Sequence, residues 1–188
     1  PAEEIVLKRK DGRLLPVYSS HVMLKQDTGD YELFCVDISL EEQKNAKDAL
    51  YQMANFDDLT RLPNRRFMEA ELSVRLAEAD RTKQAVAVVF IDLDNFKLIN
   101  DTLGHHYGDR LLLAVAETLK TEVRSYDLMS RFGGDEFVLL LFDSDGVERI
   151  HELLERLIAK LDQGFVLDGD LYQVTASFGI SLFPDDGA

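Results

Sequence analysis

The stretch Arg131-Phe132-Gly133-Gly134-Asp135-Glu136-Phe137 is the most informative local pattern in this chain of 188 residues. Apolar segments at 128–131 and 137–142 flank its glycine pair and predict two strands joined by a tight hairpin. Glycine permits a positive φ and a close approach of the backbone to a ligand, and two carboxylates follow at once. A hairpin alone is unremarkable, so its meaning depends on the motifs around it.

The stretch Phe90-Ile91-Asp92-Leu93-Asp94-Asn95-Phe96-Lys97 supplies a second set of acidic side chains. A buried strand over 86–92 would deliver Asp92 and Asp94 at its end, and strand alternation places both on the same face. Mg²⁺ prefers such oxygen ligands and is held by one or two carboxylates together with substrate phosphates. The alternative is that Asp94 caps a helix and that Asp92 is a solvated strand end.

The remaining segments predict alternating helices and strands from residue 57 onward. The patterns indicate helices over 64–81, 97–123 (interrupted at 104–108) and 147–161, and a final strand over 172–182. Such alternation favours an α/β domain in which helices cover the faces of a sheet. Residues 1–38 instead predict three short strands, which bury too little surface for an ordinary independent domain.

Residues 39–56 predict a helix between these two parts. Ser39 stands in the N-cap position, with Glu42 three residues later as its capping-box partner. The apolar stripe of this helix consists of Ala46, Ala49, Leu50 and Met53. Two turns of stripe leave two interpretations open: a helix packed on its own domain, or a linker helix that pairs with its copy in a dimer.

The charge balance narrows the classes of partner. The 35 acidic and 21 basic residues give a formal net charge of -14, which disfavours binding to nucleic acid and to anionic membranes. The single cysteine, Cys35, excludes an internal disulfide, and its apolar flanks predict a buried thiol in a reducing compartment. No stretch resembles a signal peptide or a transmembrane helix, so this segment is expected to be cytoplasmic, with any membrane anchor outside it.

The run Gly133-Gly134-Asp135-Glu136-Phe137 resembles the signature of the GGDEF family of diguanylate cyclases. Further stretches, at 58–65, 94–101, 104–109 and 176–181, resemble other motifs of the family and occur in the same order along the chain. The resemblance therefore covers residues 57–188. It implies an α/β (α+β) fold like the palm of nucleotidyl cyclases and polymerases, with a central, mostly antiparallel sheet flanked by helices. It also implies that a dimer condenses two GTP molecules into cyclic di-GMP and two pyrophosphates, with Mg²⁺ or Mn²⁺.

The resemblance assigns a metal-binding and catalytic set. Asp92 and Asp135 would hold the metal ion, with the Leu93 carbonyl as a further ligand and Glu136 close by. Asp135 would also help to deprotonate the 3′-hydroxyl that attacks the α-phosphate of the second nucleotide. Lys97 would stabilise charge on the phosphates.

A substrate-binding set is implied in the same way. Asn100 and Asp109 would read the guanine edge, and His105 would lie near the substrate. From the residues alone, Asn100 and Asp109 could equally cap helix ends, and Lys97 could be an ordinary surface lysine. The implied contacts to phosphate come from backbone amides, at Asn95, Phe96, Gly133 and Gly134.

Arg124 and Asp127 form an R-x-x-D pattern shortly before the glycine pair. The pattern resembles the product-inhibition site of the family, in which Arg124 would bind a phosphate or guanine of cyclic di-GMP and Asp127 would accept from the base. Outside that context the pair would be a local salt bridge. For Asp57 and Arg65, structural ion pairing is expected.

Residues 3–38 resemble, more loosely, the closing strands of a PAS sensor domain. The chain is thereby divided into a PAS-like segment (1–38), a linker or signalling helix (39–56) and a GGDEF domain (57–188). Most of a PAS ligand pocket lies outside these strands, so no sensory ligand is inferred. Family members continue past the position of Ala188 into a helix and strand with basic residues that grip the triphosphate. The domain is therefore expected to be C-terminally truncated and to bind GTP weakly or turn over poorly.

Three functions stay open from the sequence. The first is an active, product-inhibited cyclase that works as a homodimer, because two sites that each hold one GTP must face each other. The second is a non-catalytic module that binds GTP or cyclic di-GMP and regulates a linked effector such as a phosphodiesterase. The third is a related cyclase that makes another cyclic nucleotide, although Asn100 and Asp109 favour guanine.

Overall fold

The computed structural model describes residues 2–143 and 147–186, and the chain divides into two compact units, Pro1–Gln52 and Met53–Ala188. The first unit contains a three-stranded antiparallel sheet in the order β1-β2-β3. Its strands are β1 (Ala2–Lys8), β2 (Leu14–Lys25) and β3 (Tyr31–Ser39). The three strands predicted for the beginning of the chain are therefore present, and their assignment to a PAS-like domain stays a prediction.

Cys35 lies in β3 and is exposed, so the predicted burial of this thiol is wrong. Every residue of β3 is exposed, including the apolar neighbours Leu33, Phe34 and Val36. Apolar flanks indicate burial only where a second layer covers the strand. Among the described residues of this unit, no such layer covers β3.

Helix α1 (Glu41–Asn55) begins close to the predicted position, because the Ser39 hydroxyl accepts a hydrogen bond from the Glu41 amide over 3.3 Å. None of the residues of α1 is buried. Leu50 and Met53, which belong to the predicted stripe, are 66% and 70% exposed. The pairing of this stripe with a second copy of the helix stays a prediction.

The second unit carries the predicted alternation of helices and strands. Helix α2 begins where predicted, because the Asn64 side chain accepts a hydrogen bond from the Phe67 amide. The predicted interruption is a break at Gly104, which separates α3 from α4. In neither unit do the described ranges contain a helix long and apolar enough to cross a membrane. The elements are α2 (Arg65–Thr82), β4 (Ala85–Leu93), α3 (Phe96–Leu103), α4 (His105–Glu122), β5 (Leu128–Gly133), β6 (Glu136–Asp143), α5 (Val147–Asp162), β7 (Phe165–Leu167), β8 (Asp170–Tyr172) and β9 (Ala176–Phe183).

A four-stranded sheet in the order β5-β6-β4-β9 forms the centre of this unit, and all of its strand pairs are antiparallel. One face packs against α4 and α5 in the main core, to which β4 contributes Val89 and Ile91 and β6 contributes Phe137. The opposite face packs against α2, where Met68 meets Val138. The predicted fold class, a mostly antiparallel sheet flanked by helices, is confirmed.

The strand predicted over 172–182 is partly wrong. Tyr172 instead ends a separate hairpin of β7 and β8, and β9 begins only at Ala176. Asp168 and Gly169 close this hairpin with φ values of +55° and +95°, the two positive values that a type I′ turn requires. An Asp-Gly pair between short apolar runs is itself a hairpin signal, so the correct prediction was possible.

Candidate active site

The turn between β5 and β6 lies at the glycine pair, as predicted, with Gly133 as the last residue of β5 and Gly134 as the first residue of the turn. Gly133 has a φ of +144° and Gly134 a φ of +55°, both in a region where a residue with a side chain is strained. Gly134 and Asp135 alone separate the two strands, so Asp135 lies at the tip of the hairpin. The Leu93 amide donates to the Asp135 carbonyl over 3.3 Å, which places this tip beside the end of β4.

A guanidinium group holds this turn in place. Arg131 donates to the Gly134 carbonyl from Nε over 3.1 Å and from Nη2 over 2.7 Å. Its Nη1 donates to both carboxylate oxygens of Asp57, over 2.9 and 3.1 Å. The side chains of Arg131 and Asp57 are only 11% and 22% exposed, so solvent screens this ion pair less than a surface pair. The ion pairing expected at Asp57 is thus present, and Arg65 pairs with Glu69.

Asp57 is fixed from a second side by Thr60. The amide and the hydroxyl of Thr60 donate to it over 2.8 and 2.7 Å. Burial raises the pKa of Asp57, but the Thr60 hydrogen bonds and Arg131 outweigh burial and hold that pKa below its ordinary value. Asp57 is therefore an ionised anchor that fastens the loop before α2 to β5.

Three acidic residues lie where the end of β4 meets the hairpin. Asp92 and Glu136 are paired across the β4–β6 ladder, and Asp135 precedes Glu136 at the tip. Burial raises the pKa of Asp92, and the negative charges of Asp135 and Asp94 raise it further. The structure thus brings the predicted carboxylates to the same end of the sheet as Leu93, the last residue of β4.

This donor set fits a divalent cation that arrives together with phosphate. Within residues 2–143 and 147–186, no three histidine, cysteine, aspartate or glutamate side chains are grouped so that they could hold a metal ion by themselves. Mg²⁺ commonly takes one or two carboxylates and completes its shell with water and substrate oxygens. A cation at this position would relieve the repulsion between Asp92 and Asp135.

Asp94 has a different role from its neighbour. Its two oxygens accept hydrogen bonds from the hydroxyls of Thr175 (2.6 Å) and Ser177 (2.8 Å), and these bonds lower the pKa of Asp94. The Asp94 amide also donates to the Thr175 carbonyl. Asp94 therefore joins the end of β4 to the beginning of β9. The alternative that it caps a helix is wrong, because Asn95 occupies the N-cap position of α3.

The N-terminus of α3 follows these carboxylates directly. Asn95 has a φ of +58°, a left-handed conformation that asparagine adopts more readily than most residues. The first amides of a helix have no acceptor within the helix, so the amides of Phe96 and Lys97 are of the kind that bind anions. The Phe96 ring is buried and the Lys97 side chain is exposed. Of the predicted phosphate-binding residues, Asn95, Phe96 and Lys97 therefore lie at one helix N-terminus.

Asn100 and Asp109 lie on the two helices that meet at Gly104. Asn100 is inside α3 and Asp109 is inside α4, so the alternative that they cap helix ends is wrong. The Oδ1 atom of Asn100 is buried and has no hydrogen-bond partner among the described residues. Asp109 is exposed, as is His105 at the beginning of α4. The two helices of the α3–α4 junction thus carry both residues predicted to read guanine, Asn100 and Asp109, and His105, which was predicted to lie near the substrate.

Arg124 and Asp127 lie in the loop between α4 and β5 and border a cavity of about 230 Å³. The two oxygens of Asp127 accept hydrogen bonds from the amides of Arg124 and Phe142, each over 3.2 Å. The Arg124 guanidinium lies over the Tyr126 ring, 5.5 Å from its centroid, and donates to the Tyr126 hydroxyl. Asp127 therefore braces the loop from which Arg124 projects.

Several residues of the site were missed in the sequence. Arg131 lies inside a predicted strand, where a charged residue is an ordinary solvent-facing position, and only its place in the signature stretch was a signal. Thr175 and Ser177 bind Asp94 from 81 and 83 positions away, and no local pattern connects them. Arg156 of α5 lines the cavity at the α4–β5 loop, far along the chain from the R-x-x-D pattern.

The chain belongs to the GGDEF family of diguanylate cyclase domains, because the family model "Diguanylate cyclase, GGDEF domain" matches residues 54–188. The resemblance carried by the signature and its supporting motifs is thereby confirmed. Several relatives bear the name diguanylate cyclase.

The chain resembles only part of each relative. The bifunctional diguanylate cyclase/cyclic di-GMP phosphodiesterase MucR of Pseudomonas aeruginosa is 41% identical over 142 residues, which are 76% of this chain and 21% of MucR. The cyclic di-GMP phosphodiesterase NbdA of the same organism is 40% identical over 152 residues, which are 81% of this chain and 19% of NbdA. The chain thus spans about a fifth of the length of these relatives.

A solved structure supports the fold. The coiled coil and GGDEF domain of DgcB from Caulobacter crescentus, in complex with c-di-GMP, is 25% identical and matches with a TM-score of 0.70. The match covers 76% of this chain and 76% of the DgcB chain. The arrangement of sheet and helices is therefore that of a GGDEF domain.

Proposed function

We propose that this domain condenses two molecules of GTP into cyclic di-GMP and releases two pyrophosphates. The observation that carries the proposal is the meeting of Asp92, Asp135 and Glu136 at the end of β4, next to the N-terminus of α3. Carboxylates, flexible glycines and helix amides suit a nucleoside triphosphate bound with a metal ion. In each step the 3′-oxygen of one GTP bonds to the α-phosphorus of the other, and the bond to pyrophosphate breaks. Two such steps close the ring.

Mg²⁺ or Mn²⁺ is the proposed cofactor, held by Asp92, Asp135 and the Leu93 carbonyl, with Glu136 close by. When bound, the ion would offset the negative charge of the phosphates. Support comes from the pKa of Asp92, which burial raises first and the charges of Asp135 and Asp94 raise further. A site that disfavours its own negative charge favours a cation.

Asp135 is proposed to accept the proton of the attacking 3′-hydroxyl. Its place at the tip of a turn held by Arg131 supports this role, because a general base must be fixed within hydrogen-bond reach of the proton. Lys97 and the amides of Asn95 and Phe96 are proposed to stabilise the charge that develops on phosphate. The glycines of the turn would let the backbone approach the same phosphates.

The α3–α4 junction is proposed to recognise guanine. The exposed carboxylate of Asp109 can accept hydrogen bonds from N1–H and from the 2-amino group. The Asn100 carboxamide can donate to the same base through its nitrogen, because its Oδ1 atom is buried. His105, at the first position of α4, would lie beside the nucleotide.

A homodimer is proposed as the working form, because two half-sites must bring their nucleotides face to face. The exposed stripe of α1 supports a contact between copies, since Leu50 and Met53 offer apolar surface for a second helix. We further propose residues 1–38 as a PAS-like input segment, 39–56 as the linker helix and 57–188 as the catalytic domain. A cytoplasmic location is proposed because GTP is the substrate and the single cysteine suits a reducing compartment.

Cyclic di-GMP is proposed to inhibit the enzyme by binding at Arg124 and Asp127. A guanidinium can donate two parallel hydrogen bonds to a phosphate or to a guanine edge. The brace that Asp127 forms with the Phe142 amide would hold the binding loop against β6. The presence of c-di-GMP in the DgcB structure supports product binding by a domain of this fold.

A second candidate function is a regulatory module that binds nucleotide without turnover. The observation that favours it is NbdA, which is 40% identical to this chain yet is named only as a phosphodiesterase. In this case Arg124 and Asp127 would serve as a receptor for cyclic di-GMP that controls a linked effector. Binding at that site is common to both candidates, so only turnover separates them.

The deciding experiment measures turnover of the full chain, stripped of nucleotide and supplied with GTP and Mg²⁺. Products are separated by chromatography beside Asp135→Asn, which keeps the shape of the side chain and removes its charge. Cyclic di-GMP from the wild type alone supports the cyclase. Absence of product, together with saturable cyclic di-GMP binding that Arg124→Ala abolishes, supports the regulatory module. ATP, tested in parallel, detects a cyclase for another nucleotide.

A further inference from the structure

Gly108 is the fourth residue of α4 and is buried. Glycine is a poor helix former compared with alanine, so its presence inside a helix requires a separate reason. Its backbone has no positive φ that would demand glycine. The reason therefore lies in the space around its Cα atom.

That space is taken by Asn100 of α3. A Cβ atom added to Gly108 would lie 2.0 Å from Oδ1 and 2.9 Å from Cγ of Asn100, closer than real Cβ contacts. It would also lie 3.1 Å from Cζ of Phe96, a tight contact that a small shift can accommodate. Asn100 and any side chain at position 108 therefore exclude each other in this arrangement.

We propose that Gly108 is a positioning residue for recognition of the base. The Cα surface of Gly108 encloses the Oδ1 atom of Asn100, which is buried without a hydrogen-bond partner among the described residues. This packing restricts the orientation of the carboxamide, and the residue after Gly108 in α4 is Asp109, the second proposed guanine-binding residue. Even a methyl group at position 108 would expel the carboxamide and misplace it for guanine. The inference rests on the proposed role of Asn100 in binding GTP.

The test is a double-mutant cycle in the full chain, built from Gly108→Ala and Asn100→Ala. The first readout is the Kd for GTP by calorimetry, with the KM and kcat of cyclic di-GMP formation. We expect Gly108→Ala to raise the Kd and KM about tenfold or more and to change kcat less than about twofold. A tenfold rise in the Kd corresponds to a loss of about 1.4 kcal/mol in binding free energy. In the Asn100→Ala background the same substitution is expected to have no further effect. Gly179→Ala is the matched control, because its added Cβ would make only an ordinary contact of 3.9 Å with Phe90.

A second readout separates this inference from the proposed function. Because alanine favours the helix, Gly108→Ala should raise the Tm in the Asn100→Ala background, where the collision is gone, by more than in the wild type. Equal effects of Gly108→Ala on GTP binding in both backgrounds, or no effect in the wild type, would overturn the inference. A wild type that makes no cyclic di-GMP would overturn the proposed cyclase and leave the Kd and Tm cycles as valid tests of Gly108.

Discussion

Nη1 of Arg131 donates to both carboxylate oxygens of Asp57, a residue 74 positions earlier in the chain. The other nitrogens of the same guanidinium donate to the Gly134 carbonyl. One side chain thus connects the loop before α2 to the turn that carries Asp135. The rigidity of the β5–β6 hairpin therefore depends on a residue that takes no part in the proposed chemistry.

Arg131→Lys should destabilise the domain by about 2 kcal/mol, because an ammonium cannot reach Asp57 and Gly134 together and leaves partly buried acceptors unsatisfied. Product formation should fall at least about tenfold as Asp135 loses its fixed position. Urea unfolding and initial rates measure the two effects. The control is Arg65→Lys, whose pair with Glu69 is 67% and 56% exposed and whose cost should stay within about 0.5 kcal/mol. Equal losses of unfolding free energy in the two variants would contradict this role of Arg131.

The stability contributed by Asp57 should depend on pH. Its folded-state pKa is lowered, because the Thr60 hydrogen bonds and Arg131 outweigh burial. A lowered carboxyl pKa stabilises the fold above the unfolded pKa of about 3.9, and that stability is lost as the pH falls through the folded pKa. We expect the difference in unfolding free energy between the wild type and Asp57→Asn to be constant from pH 7 to about pH 5 and to shrink below pH 4. Chemical denaturation at several pH values measures it, and a difference that grows on acidification would refute the prediction.

Gly133→Ala should cost about 1–3 kcal/mol in unfolding free energy, because a φ of +144° is strained for any residue with a Cβ. The substitution meets no atom within 4 Å, so the cost measures backbone strain alone. Gly134→Asn is the comparison, since asparagine tolerates the φ of +55° at that position and should cost less. Thermal unfolding of both variants shows which substitution destabilises the domain more. A larger loss of stability for Gly134→Asn would show that the turn has rearranged.

Asp92→Asn should separate stability from activity. Removing one of the mutually repelling charges should leave the unfolding free energy unchanged or higher, since the pKa of Asp92 is raised by burial and by Asp135 and Asp94. Cyclic di-GMP formation should fall about 100-fold. The stabilisation of the wild type by added Mg²⁺, read as a shift in Tm, should weaken in the variant. An undiminished Mg²⁺ shift would place the cation elsewhere.

The strands and helices of the second unit were largely predictable, because long apolar runs carry their own periodicity. The run predicted over 86–92 is β4 (Ala85–Leu93) in the structure. The β7–β8 hairpin was missed because strands of three residues are too short to show a period, although the Asp168-Gly169 pair between them was a usable turn signal. Cys35 was misjudged because burial depends on what covers a strand, and the strand itself does not encode that.

The candidate site was predictable only where a residue belongs to a recognisable local stretch of sequence. Asp92 and Asp135 follow from two local stretches, and the ladder between β4 and β6 brings them to one end of the sheet. The partners of Asp57 and Asp94 are 74 or more positions away, and they become neighbours only through the fold. Gly108 gave no local signal either, since its reason is a side chain on another helix.

The strand order β5-β6-β4-β9 also bears on how the domain folds. The β5–β6 hairpin is local and can form early, whereas β4 must pair with β6 and with the much later β9 across long stretches of chain. Asp92 meets Glu136 only when β4 has paired with β6. The carboxylate site therefore depends on a long-range strand pairing and not on the local hairpin alone. A partly folded molecule that retains only the hairpin lacks the candidate site, because Asp92 is not yet beside Glu136.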